Sequence, residues 1–131
     1  MFDRPGVPAP RRGKGRGSVL VVEDEFLVAL DLERQLLELG CEVMGPVASM
    51  RDARALVAAG APDLVLLDVA LLDGRSAPLA VELRRAGIPF LLITGYGEGH
   101  LEDEIFRDAA RLDKPCDAGA LHAVLGQLLP T

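Results

Sequence analysis

Short apolar runs alternate with longer segments of helical period along most of the chain. Residues 19–22, 42–47, 64–67 and 90–93, with a brief run near Leu112, read as strands, because a few apolar residues bounded by turn formers suit a buried extended segment. Between the first two, residues 26–39 place Ala29, Leu32, Leu36 and Leu39 on one helical face and Asp31, Glu33, Arg34 and Glu38 largely elsewhere. That helix stops at Gly40, and the same punctuation recurs where Gly60 precedes Pro62 and Gly87 precedes Pro89. Ser49 with Asp52, and later Asp117, supply N-terminal caps for helices at 50–59 and 118–129. Residues 76–86 predict a further helix, and residues 101–110 a weakly patterned one. Alternating strands and helices, with continuously apolar middle strands, predict an α/β fold in which a parallel sheet carries helices on both faces.

Residues 1–17 break the pattern. They are rich in Pro, Gly and Arg and nearly lack large apolar side chains, so they cannot bury enough surface to offset their ordering entropy. The expectation is a disordered basic arm followed by one domain at 18–131. A chain of 131 residues that is 50% hydrophobic supplies one core, not two. The net charge of −6 opposes a phosphate backbone and argues against nucleic acid as a partner. Only the arm departs from this, with Arg4, Arg11, Arg12, Lys14 and Arg16 against Asp3. Cys41 and Cys116 have neither disulfide-framework nor zinc spacing and read as small core or boundary residues. No apolar run approaches the roughly 18 residues of a membrane span, and 19–22 is too short for a signal peptide. A soluble, cytoplasmic protein without a membrane partner is expected.

In such sheets reactive groups gather beyond the carboxyl ends of the strands. The first strand ends in Glu23-Asp24-Glu25, the third in Asp68 and the fourth in Thr94, while Lys114-Pro115 follows the last. Carboxylates crowded on one rim repel by roughly 4 kcal/mol per pair at ~4 Å and an effective dielectric near 20. A hard divalent cation relieves that repulsion, and Mg2+ favours one or two carboxylates plus water and a phosphate. Phosphoryl transfer needs the same positioning and charge neutralisation, with Asp68 as the nucleophile that becomes an aspartyl phosphate. Taken alone, the acidic triplet reads as a solvated helix start, Asp68 and Thr94 as turn residues, and Lys114 as a surface charge. Their joint placement favours the site.

Val21-Val22-Glu23-Asp24-Glu25, Asp63-Leu64-Val65-Leu66-Leu67-Asp68, Leu92-Ile93-Thr94-Gly95 and Asp113-Lys114-Pro115, in this order, resemble the motif set of bacterial response-regulator receiver domains over about residues 18–130. The resemblance implies a doubly wound, flavodoxin-like sheet of five parallel strands in the order 2-1-3-4-5. It implies that Asp24 and Asp68 bind Mg2+ directly and Glu23 largely through water, with the Ala70 carbonyl completing the protein's share. Thr94 and Lys114 would then hold phosphoryl oxygens, Lys114 across a cis bond to Pro115. The implied phosphodonor is a histidine kinase or histidine phosphotransfer protein. The implied role is signalling through contact with a downstream protein, or draining phosphate from a shared kinase, as opposed to enzymatic turnover. The alternatives are the receiver piece of a hybrid kinase and, less well matched, an Asp-nucleophile phosphatase, which carries its nucleophile on the first strand.

Residues 74–80, 88–90 and 94–97 are closer to the "FATGUY" group of single-domain receivers, although Leu92 stands where that label has Phe. Leu72 replaces the Pro often found after the acceptor, and Arg111 occupies the place of the usual aromatic switch residue. The switch set is therefore Thr94, Tyr96 and Arg111, with Tyr96 either a packed ring or a moving part. Gly95, Gly97 and Gly99 lack dinucleotide and Walker spacing and read as a mobile loop, and Gly13, Gly15 and Gly17 precede a strand instead of following one. His100 and His122 have no ligand-spaced neighbours.

Overall fold

A computed structural model describes residues 17–95 and 102–129. Its elements are β1 (Ser18–Val22), α1 (Phe26–Glu38), β2 (Glu42–Val47), α2 (Met50–Ala59), β3 (Leu64–Asp68), β4 (Ala70–Leu71), β5 (Gly74–Arg75), α3 (Ala77–Arg85), β6 (Phe90–Thr94), the 3-10 turn η1 (Glu104–Phe106), β7 (Arg111–Asp113) and α4 (Ala118–Leu128). Five strands form one parallel sheet in the order β2-β1-β3-β6-β7. With β4 and β5 set aside as a separate antiparallel pair, this is the expected 2-1-3-4-5 order.

The period of two along each strand divides the core into two layers. Val19 and Val21, Leu64 and Leu66, and Leu91 and Ile93 face Leu32 and Leu36 of α1 and Leu121 and Leu125 of α4. Leu20 and Val22, Val65 and Leu67, and Phe90 and Leu92 face Met50 and Ala53 of α2, Leu79 and Leu83 of α3, and Phe106. Each fully buried aliphatic side chain contributes roughly 1.5–3 kcal/mol, so the three central strands anchor the fold. Both cysteines are buried. No helix among the described residues is long and apolar enough to cross a membrane.

The caps form as the sequence predicts. Ser49 accepts from the Asp52 amide and Asp117 from the Ala120 amide. Asp73 adds a second cap to α2 by accepting from the amides of Met50 and Arg51. Gly40 and Gly87, at φ +89° and +75°, take the left-handed conformation that closes α1 and α3, whereas Gly60 is extended, a conformation open to any residue.

One expectation needs correction. The helix expected over 101–110 is reduced, among the described residues, to η1, where Phe106 is drawn to 0% exposure in the α2/α3 layer and Asp103 is held by Arg75. The β4/β5 pair immediately after β3 carries no periodic signal, since each of its strands has two residues. Lys114-Pro115 is cis as implied, and Gly45-Pro46 is a second, unanticipated cis bond.

Candidate functional site

The rim of the sheet is built from the ends of β1, β3 and β6 and the turn after β7. Glu23 follows β1 directly, and its amide donates to the Val47 carbonyl at 2.9 Å, turning the chain over β2. Its Oε2 accepts from the Glu25 amide at 2.9 Å. Asp68 is the last residue of β3 and pairs in register with Ile93, so its carboxyl opens on the same rim. The Lys114 amide donates to the Thr94 carbonyl at 2.8 Å, which brings the lysine over the site.

Lys114 Nζ lies 2.6 Å from Glu25 Oε1, 3.1 Å from Glu23 Oε2 and 3.1 Å from Asp68 Oδ2. Glu23 and Asp68 are 2% and 3% exposed, so the lysine's contacts to these two are only weakly screened by water. Burial, followed by the neighbouring Glu23 carboxylate, pushes the Asp68 carboxyl up to about 8, with Lys114 opposing. Burial would lower the Lys114 ammonium, but its hydrogen bonds to Glu25 and Glu23 prevail and raise it. Burial, with Glu23 second, pushes the neighbouring Cys116 thiol up to about 11, so the thiol stays protonated and unreactive near neutrality.

The arrangement suits a divalent cation. Glu23, Asp24, Glu25 and Asp68 each offer one carboxylate oxygen, all within 4.8 Å of one another. One ammonium contacts three of these four carboxylates. Glu23 Oε1 is buried without a hydrogen bond among the described residues, and its approach to Lys114 at 3.0 Å is an electrostatic contact only. An orphaned buried carboxylate oxygen is the acceptor a hard cation satisfies.

The expected residues divide into those that converge and those that do not. Glu23, Asp24, Asp68 and Lys114 come together. Ala70 opens β4, two residues beyond Asp68, and pairs with Arg75. Thr94 is buried at the end of β6, yet its hydroxyl donates to Asp113 Oδ1 at 2.7 Å, toward β7. Arg111 begins β7, two residues before Asp113, and its guanidinium donates to the Phe106 carbonyl at 2.9 Å. Tyr96, together with Gly97, Gly99 and His100, lies outside the described residues.

Three residues at the site carry roles the sequence did not reveal. Glu25 makes the shortest contact to Lys114; its place beside Glu23-Asp24 was the available signal. Asp113 holds Thr94, although the motif Asp113-Lys114-Pro115 pointed only to the lysine. Ser76 shares its hydroxyl proton between the carbonyls of Asp68 at 2.6 Å and Val69 at 3.1 Å, and nothing in its spacing announced this.

Such a parallel sheet with an acidic pocket and one lysine at its carboxyl rim defines a class of protein before any comparison is made. Residues 19–126 match the response regulator receiver domain, and the chain belongs to that family of two-component signalling domains. It is similar to the phyllosphere-induced regulator PhyR of Methylorubrum extorquens, 36% identical over 115 residues that make up 85% of this chain and 43% of that protein. Among solved structures it resembles SdrG from Sphingomonas melonis, with a TM-score of 0.75 and 37% identity over 85% of this chain and 94% of that one. PhyR from Brucella abortus superposes with a TM-score of 0.74 and 32% identity over 88% of this chain and 49% of that one. The chain spans less than half the length of the curated relatives it matches.

Proposed function

We propose that Asp68 accepts a phosphoryl group from the phosphohistidine of a histidine kinase or histidine phosphotransfer protein, in a Mg2+-dependent reaction. The observation that carries this is the buried Asp68 carboxylate held 3.1 Å from Lys114 inside a cluster of further carboxylates. Glu23, Asp24, Asp68 and the Ala70 carbonyl would hold Mg2+, which when bound supplies positive charge against the transferring phosphoryl oxygens. An Asp68 oxygen attacks phosphorus, the bond from phosphorus to the donor imidazole nitrogen breaks, and the imidazole leaves with that electron pair. Lys114 pairs with one phosphoryl oxygen, and the Thr94 hydroxyl exchanges Asp113 for another. The product changes the rim and the β6/β7 edge, and a downstream protein reads that change by contact; a phosphate sink uses the same chemistry without a reader.

Residues 18–131 form the receiver unit in this reading, the chemistry takes place in the cytoplasm, and residues 1–17 take no part in phosphoacceptance. The test is phosphotransfer from purified histidine kinases to the intact chain and to Asp68→Asn. Transfer to the first and none to the second supports the assignment, and equal labelling overturns it. The match to less than half of PhyR favours a second reading, in which the unit belongs to a larger regulator or hybrid kinase. The full open reading frame distinguishes the two.

A further inference from the structure

We propose that Glu25 is a positioning residue that holds Lys114 in reserve and competes with the incoming phosphoryl group for it. The inference rests on the phosphoacceptor reading above. An ammonium has three protons, and in this structure they meet three carboxylates, from Glu25, Glu23 and Asp68. Glu23 and Asp68 are the buried pair that cation binding and phosphorylation would engage. Glu25 is different: its side chain is 61% exposed and makes the shortest of the three contacts, and, lying outside the Mg2+ ligands proposed above, it would keep its charge for Lys114 after the other two are committed.

The helix beside it gives an independent reason to assign Glu25 this role. Glu25 is the N-cap of α1, a position that favours short side chains able to fold back onto the first free amides. Its carboxylate makes no capping bond. Its backbone is fixed at both ends, the amide donating to Glu23 Oε2 and the carbonyl accepting from the Ala29 amide, each at 2.9 Å. The side chain is therefore anchored at its root and extends across 89 positions of sequence to the lysine. Lys114 is only 11% exposed, so it has few other places to go. An acidic residue that does not cap its helix but grips the phosphoryl-binding lysine sets how readily that lysine is released.

The experiment compares the intact chain with Glu25→Gln and Glu25→Asp in two measurements. In metal-free protein, hydrogen exchange of the Lys114 side-chain ammonium, followed by NMR on the 15N-labelled chain, should accelerate about fivefold in both variants while the backbone amide spectrum is retained. At saturating Mg2+, beryllofluoride, which adds to a carboxylate oxygen as a phosphoryl mimic, should bind both variants about fivefold more tightly than the unsubstituted chain. Glu25→Asp keeps the charge but shortens the reach, so it separates contact from general field. If it behaves like the unsubstituted chain while Glu25→Gln does not, the effect is long-range charge and the proposal fails. Weaker Mg2+ binding by both variants, with beryllofluoride binding weakened at the Mg2+ concentration that just saturates the unsubstituted chain and restored by more, would make Glu25 a metal ligand and also overturn it. If the unsubstituted chain does not bind beryllofluoride at all, the phosphoacceptor reading itself falls, an outcome distinct from either of these.

Discussion

Two neighbouring clusters on the same rim are organised in opposite ways. Around Asp68, the groups proposed for phosphoacceptance already touch, with Lys114 bonded to Glu23, Glu25 and Asp68. Around Thr94, the groups proposed to read that event are tied elsewhere, Thr94 to Asp113 and Arg111 to the Phe106 carbonyl. The first cluster is assembled but self-occupied, its lysine already engaged by the three carboxylates around it. The reading cluster is latched to the edge strand. In the proposed reaction activation would exchange partners in both clusters, and each can be broken separately.

Asp68→Asn makes the largest separation. It should abolish labelling by acetyl phosphate, because an amide cannot supply the nucleophile, while circular dichroism and the edge-strand amides stay as they are. Phosphate incorporation detected by intact mass in the variant would refute the acceptor assignment. On the other side, Phe106→Ala should cost about 3–5 kcal/mol in urea unfolding, since a fully buried ring leaves a cavity in the α2/α3 layer. The folded fraction should still be labelled at Asp68. Loss of labelling in proportion greater than the loss of fold would show that the two clusters are not separable.

The proton on Asp68 gives a third handle. Its carboxyl is raised from 3.8 to about 8, chiefly by burial. Between those values the folded protein keeps a proton that the unfolded chain releases, so this group's contribution to stability declines as pH rises from about 4 to about 8. Mg2+ affinity should move the other way, strengthening by up to about tenfold per pH unit as the proton departs and levelling off above about 8. Calorimetric titration from pH 6 to 9 reads the slope, and a flat profile would place the cation away from Asp68. The smallest effect belongs to Arg111→Met, which keeps the aliphatic stem but removes the bond to the Phe106 carbonyl. It should cost about 1 kcal/mol in the same urea measurement, and no change would show that Arg111 does not hold η1.

Most of the carboxylate and lysine cluster was legible because strand ends are easy to locate. Residues 64–67 are apolar without interruption, so the first polar residue, Asp68, had to stand at the rim; the same logic reached Glu23, Asp24 and Thr94. Helix α2 matched its expected bounds because Ser49 and Gly60 mark both ends. The reading cluster was less legible, since its contacts depend on tertiary choices. Phe106 looks like one apolar position in a poor helix, and only the adjoining layer shows that it completes the core. Gln35 is another case: a polar residue on the apolar face of α1, it is buried by giving its amide to Asp31 and to the Cys116 carbonyl, a partner 81 positions away.

The Ser76 hydroxyl also governs how the acceptor can respond to load. Because Ser76 is fully buried and braces the peptide carbonyls of both Asp68 and Val69, with its own amide donating to Val69 at 2.8 Å, the backbone under the acceptor is mounted on the first turn of α3. A bulky charged group added to the Asp68 side chain would then sit on a backbone braced from below. In the proposed reaction recoil of the main chain would have to break these bonds, which directs the rearrangement into neighbouring side chains.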